Sequence, residues 1–196
     1  MNEPNSMKIS TDRLEVVAAT LDHVRAELES PESLTAELNA DVGPDWPPGE
    51  YDRAVQEFFR DCLQKGGSAV VGWYGWYAIR NDQHPELIGS GGYLGLPCEN
   101  GEVETGFSIV NNWQGAGYAT EMAGALVTNA LTDSRVQKII AHSTRRNFAS
   151  CKVLEKVGFK VVGTGEKSGS IRFEIQRNDL PHNKTSSADA KDSAAG

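Results

Sequence analysis

Long apolar runs are missing from this sequence. No stretch approaches the roughly 18 residues that a membrane-crossing helix needs, so a membrane-spanning function is not expected. The opening Met1 to Ser6 is polar and acidic rather than basic and then apolar, so a secretory signal is not expected either. Positive charge is scarce: 19 Lys and Arg stand against 27 Asp and Glu, giving a formal net charge of -8. A general nucleic-acid binder needs a basic surface, so that class is disfavoured. An acidic surface attracts cationic amines, and it also simply serves solubility. Cysteine is sparse. Cys62, Cys98 and Cys151 lie far apart without metal-type pairing, so reduced thiols in a cytoplasmic protein are expected, and no metal site.

What is present suits one α/β domain. The 196 residues are 39% hydrophobic and 23% charged, enough to bury a core in a globular chain. Residues 1–8 read as a flexible leader and 9–178 as the domain. From Pro181 onward the sequence PHNKTSSADAKDSAAG has no apolar period and reads as a disordered tail over 181–196.

Within the domain, a strand is expected over Leu14 to Ala18. Helices follow around Leu21 to Leu28, Glu32 to Leu38 and Ala54 to Leu63. The Pro- and Gly-rich stretch Asp41 to Tyr51 is a loop, and its Trp46 either lines a cleft or packs on the core. Strands are expected over Val70 to Arg80, Leu87 to Leu96 and Glu102 to Val110. Alternation in the last puts Val103, Thr105, Phe107 and Ile109 on one face and Glu104, Gly106 and Ser108 on the other. A helix over about Ala119 to Leu131, a strand over Gln137 to His142 and a helix over Asn147 to Val157 come next. Strands over Lys160 to Gly163 and Ile171 to Gln176 close the domain.

The strongest chemical signal is the junction Asn111-Asn112-Trp113-Gln114-Gly115-Ala116-Gly117-Tyr118-Ala119-Thr120, between a strand and a helix. Small residues let backbone N–H groups approach an anion, and the helix start adds its dipole and unpaired donors. A diphosphate fits that geometry. The Walker pattern is absent because no Lys-Ser/Thr follows the glycines, and the dinucleotide fingerprint lacks its third glycine.

Gln114-x-x-Gly117-x-Ala119 resembles the coenzyme A diphosphate loop of the GNAT superfamily of N-acetyltransferases. Asn147-Phe148-Ala149-Ser150 through Gly158-Phe159 resembles the second signature of that family, an Asn-led helix closed by Gly-Phe. Ser10-Thr11-Asp12-Arg13-Leu14 and Glu102-Val103-Glu104-Thr105-Gly106-Phe107-Ser108-Ile109 are similar to the ribosomal-protein-alanine acetyltransferase-like (Rim-type) branch. The resemblance spans roughly residues 9–178 in the right order.

The resemblance implies an α/β fold: a mixed, strongly twisted sheet with splayed central strands, flanked by helices. It implies acetyl-CoA as donor and transfer to a primary amine, either a protein N-terminal α-amine or a small molecule, directly in a ternary complex. A non-catalytic acyl-CoA-binding module is the alternative; it would keep the loop and lose the acid and base. A homodimer is one assembly compatible with the family. Gln114, Gly115, Ala116, Gly117, Tyr118 and Ala119 would hold the diphosphate. Ser108, Ile109 and Val110 would bond the pantetheine arm through their backbone, with the Ile109 N–H near the thioester carbonyl as an oxyanion donor. Glu104, on the strand face of Ser108, is the base candidate, directly or through water; its other reading is a solvated carboxylate.

Many family members carry a tyrosine acid seven residues after the helix-leading Asn, where this chain has Leu154. The Rim-type serine three residues after it is matched by Ser150, which is assigned to the leaving thiol. Asn147 is assigned to the pantetheine chain and is also a natural helix cap. Cys151 points about 100° away on the helix, which disfavours a covalent route. His142 is read as a proton relay or a structural histidine, and Arg145 and Arg146 as phosphate contacts or solvated charges.

Overall fold

The computed structural model describes residues 7–165 and 167–179. The expected tail and most of the leader lie outside the described residues. Within them a mixed sheet of nine strands is flanked by five helices. In chain order the elements are β1 (Lys8–Ser10), β2 (Leu14–Ala18), α1 (Leu21–Glu29), α2 (Pro31–Leu38), β3 (Asp41–Val42), α3 (Arg53–Gly66), β4 (Gly75–Arg80) and β5 (Glu86–Tyr93). Then come β6 (Glu102–Ile109), α4 (Tyr118–Ala130), β7 (Lys138–Thr144), α5 (Phe148–Val157), β8 (Lys160–Thr164) and β9 (Ser170–Gln176).

The helices begin where capping chemistry allows. Thr20 caps α1, Ser30 caps α2 with Pro31 at its first position, and Asp52 caps α3, each through a side-chain oxygen that accepts a backbone N–H. The strand expected from Val70 starts only at Gly75. After α3 the chain makes a tight turn over Gly67–Val70, and Gly72 takes φ +88, which breaks the extended run. The aromatic stripe divides by strand period, Trp76 into one core and Tyr77 into the other. The next strand stops at Tyr93, short of Leu96, and Gly95 follows it at φ +147.

The sheet runs β1-β2-β4-β5-β6-β7-β9-β8, with β3 paired to β5 off this path. Helices α4 and α5 cover one face with Met122, Leu126 and Leu154. The other face carries α1 to α3 over Val17, Tyr77, Ile79 and Leu87, with Val24, Leu34 and Leu63 from the helices.

The central feature is the seam between β6 and β7. These parallel strands pair only at Glu102↔Lys138, Val103↔Ile139 and Glu104↔Ile140, although both run several residues further. Meanwhile β6 stays zipped to β5 from Tyr93↔Thr105 to Gly89↔Ile109. The sheet therefore forks immediately beyond Glu104, and the splayed central strands expected from the resemblance are present.

Candidate functional site

Glu104 stands at the base of the fork. The expected alternation holds: Val103, Thr105 and Ile109 are buried, while Glu104, Gly106 and Ser108 are not. His142, two residues beyond the last paired position of β7, shares the face of Ile140 and so of Glu104. Its Nδ1 lies 2.8 Å from Glu104 Oε1, with side-chain exposures of 20% and 34%. The His142 Nε2 is buried without a partner among the described residues. The carboxylate is thus held on one oxygen and half open to the fork, which leaves lone pairs for a further donor.

Beyond the fork the inner edge of β6 is unpaired with β7, although Ile109 O there accepts from Gln114 Nε2 at 2.8 Å. Val110 N–H donates to Ile88 O at 2.9 Å, so it faces β5. Donors alternate sides along a strand, so the Ile109 N–H faces the gap that β7 has left. Between Glu104 and Ser108 the surface is bare: a Cβ built on Gly106 would meet nothing within 4 Å.

The junction after β6 builds an anion cradle. Gly115 and Gly117 take φ +78 and +91, which only glycine adopts without strain. Gly117 caps α4 without any side-chain cap bond, and the N–H groups of residues 115–120 have no hydrogen-bond partner among the described residues. Those donors and the dipole of α4 converge on exposed space, the environment a diphosphate requires. The Gln114 side chain turns back, donating to Ile109 O at 2.8 Å and Asn111 Oδ1 at 3.2 Å. It shapes the loop rather than reaching outward.

A clamp supports the cradle from the turn between β1 and β2. Arg13 donates to Ala116 O at 2.9 Å and to Glu121 Oε2 at 2.8 Å, and lies over the Tyr118 ring at 4.3 Å. Thr11 Oγ1 and the Arg13 N–H both donate to Glu121 Oε1, at 2.7 and 2.8 Å. Burial pushes the Glu121 carboxyl up, but the hydrogen bonds from Thr11 and Arg13 and the Arg13 charge outweigh it, so its pKa is lowered. Sequence reasoning quoted the Ser10–Leu14 segment only as a resemblance and gave Arg13 no role; nothing local to it reveals a partner more than 100 positions away.

On the other arm of the fork, Asn147 caps α5 by accepting the Ser150 N–H at 3.1 Å, so its capping reading holds. Ser150 sits in the first turn, partly exposed, and its hydroxyl makes no hydrogen bond among the described residues. Glu104 and Ser150 share no hydrogen bond; they belong to the two arms. The Cys151 thiol points instead at Thr144 O, 3.6 Å away. Arg145 and Arg146 are exposed in the turn before α5.

Sequence reasoning also missed a carboxylate behind the acceptor side. Glu27 of α1 accepts from Trp46 Nε1 at 2.8 Å, Tyr51 OH at 2.8 Å, Tyr77 OH at 2.7 Å and Gln56 Nε2 at 3.1 Å. Burial raises its pKa against the pull of these hydrogen bonds. Trp46 therefore packs inward on the core, one of its two expected readings.

A family model described as "Acetyltransferase (GNAT) domain" matches residues 13–160. An uncharacterized N-acetyltransferase of Bacillus subtilis (strain 168), YjdG, is 30% identical over 151 residues, covering 77% of this chain and 88% of that one. Among solved structures, the ribosomal-protein-S5-alanine acetyltransferase of Vibrio fischeri superposes with TM-score 0.61 at 17% identity, over 88% of this chain and 98% of that one. RimL, a ribosomal L7/L12 α-N-protein acetyltransferase in complex with coenzyme A, gives TM-score 0.59 at 19% identity, over 87% and 98%.

Proposed function

We propose an acceptor class and a set of catalytic roles for a chain that belongs to the GNAT family of acetyltransferases. It is an acetyl-CoA-dependent acyltransferase with the family's fold. That membership favours an enzyme over a non-catalytic acyl-CoA module. The acceptor in our reading is a primary amine, either a protein N-terminal α-amine or a small molecule. The protein branch draws support from the Rim-type neighbours, whose names give ribosomal proteins as substrates. Three free thiols and the lack, among the described residues, of any helix long and apolar enough to cross a membrane are compatible with a cytoplasmic place of action.

The single observation that carries the mechanism is the position of Glu104 at the point where β6 and β7 part. The donor's diphosphate lies on the N–H groups of residues 115–119, since the Gln114 N–H is given to Asn111 O at 3.2 Å. Its pantetheine arm runs along the β6 edge at Ile109, since Val110 turns its N–H to β5, with Asn147 on the opposite arm. An amine arriving over Gly106 meets Glu104, which takes its proton directly or through a water while His142 holds the carboxylate in place. The neutral nitrogen adds to the thioester carbonyl carbon, the Ile109 N–H receives the negative charge that develops on oxygen, and the adduct nitrogen releases its second proton to water before the amide forms. Collapse breaks the C–S bond. Ser150 donates a hydrogen bond to the departing sulfur, and the thiolate takes its proton from solvent. Holding both reactants in the fork supplies much of the rate.

Acetyl-CoA turnover measured against a panel of peptides with free N-termini, polyamines and amino sugars tests this reading. Turnover above the acceptor-free rate with at least one primary amine is expected. Tight coenzyme A binding without turnover on any amine would contradict it.

A further inference from the structure

Among the described residues, Glu27 is a carboxylate with no cationic partner. Its four partners are all neutral donors, from the Gly43–Tyr51 loop (Trp46 and Tyr51), from α3 (Gln56) and from β4 (Tyr77). Both oxygens are used twice, Oε1 by Trp46 and Gln56, Oε2 by Tyr51 and Tyr77. A carboxylate so placed is costly if its only task is to fill space, because apolar groups of the same shape would serve as well or better. What the arrangement does supply is a fixed geometry: four directional bonds converge on one group and tie a loop to α1, α3 and β4.

That loop reaches the reaction space. Gly49 lies against β6, where a Cβ would stand 2.5 Å from Ser108 Oγ. The Asp45 carboxylate accepts from Asn112 Nδ2 at 2.9 Å, which joins the loop to the anion cradle. Pairing aligns Tyr77 with Ser90 and Ser90 with Ser108 in one row across the sheet face. At about 4.8 Å per strand, Tyr77 stands roughly 10 Å from Ser108. The Ser90 hydroxyl between them is buried and unpartnered among the described residues. Two residues along β6, the bare surface over Gly106 begins. The loop therefore runs from the Glu27 carboxylate to the edge of the space between Ser108 and Glu104.

We infer that Glu27 is a positioning residue for the acceptor: its carboxylate fixes the Gly43–Tyr51 loop as the wall of the space over Gly106. This rests on the reading that the amine reaches Glu104 across that surface. The acceptor binds against a wall held by Glu27, whereas the donor binds on the cradle and the strand edge. Loosening the wall therefore weakens acceptor binding far more than donor binding, which rests on the N–H groups of residues 115–119 rather than on the loop.

Three variants test this: Glu27→Gln, Trp46→Phe and Gly106→Val. The probes are an alanyl-glycyl-glycine amide, which carries a free α-amine, and n-butylamine. For each variant, acceptor KM and kcat are measured beside acetyl-CoA affinity and the slow acceptor-free hydrolysis of acetyl-CoA. Glu27→Gln and Trp46→Phe should raise acceptor KM about tenfold, the scale on which loss of a well-placed contact is felt in binding. Acetyl-CoA affinity and acceptor-free hydrolysis should stay within about twofold of the parent. Amide exchange in residues 43–52 should quicken in Glu27→Gln while residues 115–120 keep the parent's rate. An unchanged acceptor KM in folded Glu27→Gln and Trp46→Phe, or a parallel loss of acetyl-CoA affinity, would overturn the inference. Gly106→Val separates the two layers. If it leaves acceptor KM unchanged, the approach over Gly106 is wrong; if it raises KM while Glu27→Gln does not, only the positioning role fails.

Discussion

The Oε1 of Glu104 lies 2.8 Å from Nδ1 of His142, directly beyond the last pair, Glu104↔Ile140, that β6 and β7 make. The two side chains bridge the fork at its base. A carboxylate oriented by a neighbouring ring needs little rearrangement to receive a proton, and that preorganisation is what base catalysis requires. The imidazole nitrogen on the far side is buried without a partner among the described residues.

The anion cradle predicts the effect of Gly117→Val. Gly117 takes φ +91, and a Cβ there would stand 3.3 Å from an Arg13 nitrogen. The side chain would both strain the turn and intrude beside the clamp, so coenzyme A affinity should fall at least about tenfold. A binding titration on a variant with an unaltered circular dichroism spectrum checks this, and parent-like affinity would displace the diphosphate from residues 115–119.

The clamp predicts a pH dependence. Glu121 has a lowered carboxyl pKa in the folded protein, relative to 4.5 when free. Its contribution to stability is therefore fully present above about pH 4.5 and is lost as pH falls through the folded value. Because the Arg13–Glu121 pair is partly exposed, with exposures of 45% and 16%, the effect should be modest and weaken in salt. Glu121→Gln should lower the melting temperature at neutral pH and flatten its decline between pH 5 and 3, which a thermal melt series reads out. A parallel decline in parent and variant would remove Glu121 from the account.

Ser150 predicts a smaller effect than Glu104. A thiolate leaves tolerably without a donor, so Ser150→Ala should lower kcat by about tenfold or less, below the usual range for a general base. Asn147 would still cap α5 through the Ser150 backbone N–H, which the substitution keeps. Steady-state kinetics check this, and a loss exceeding that of Glu104→Gln would make Ser150 the dominant group.

Much of this site was legible because its parts are local. The strand alternation over Val103 to Ile109 needs only a period of two, and the Gly-rich turn before α4 needs only a few neighbouring residues. The same locality gave Asn147 as a cap. What was not legible depends on partners distant in the chain. His142 faces Glu104 only because parallel pairing sets Ile140 beside it, and Arg13 meets Glu121 and Ala116 only after β2 is laid against α4. Glu27 reads as an ordinary helix-surface residue until Trp46, Tyr51, Gln56 and Tyr77 converge on it. The early end of the strand after Tyr93 and the late start at Gly75 were misplaced for a different reason: aromatic and glycine runs fit a strand pattern until a positive φ interrupts them.

The pH–rate profile of Glu104→Gln on a good primary-amine acceptor decides whether this carboxylate is the base. The kcat/KM should be about 10² to 10⁴ lower than the parent at neutral pH, with coenzyme A affinity unchanged. The deficit should narrow as pH rises and more of the amine is already neutral. A parent-like rate at neutral pH, or a deficit that stays constant across the profile, would contradict a base at Glu104 and leave catalysis to positioning in the fork.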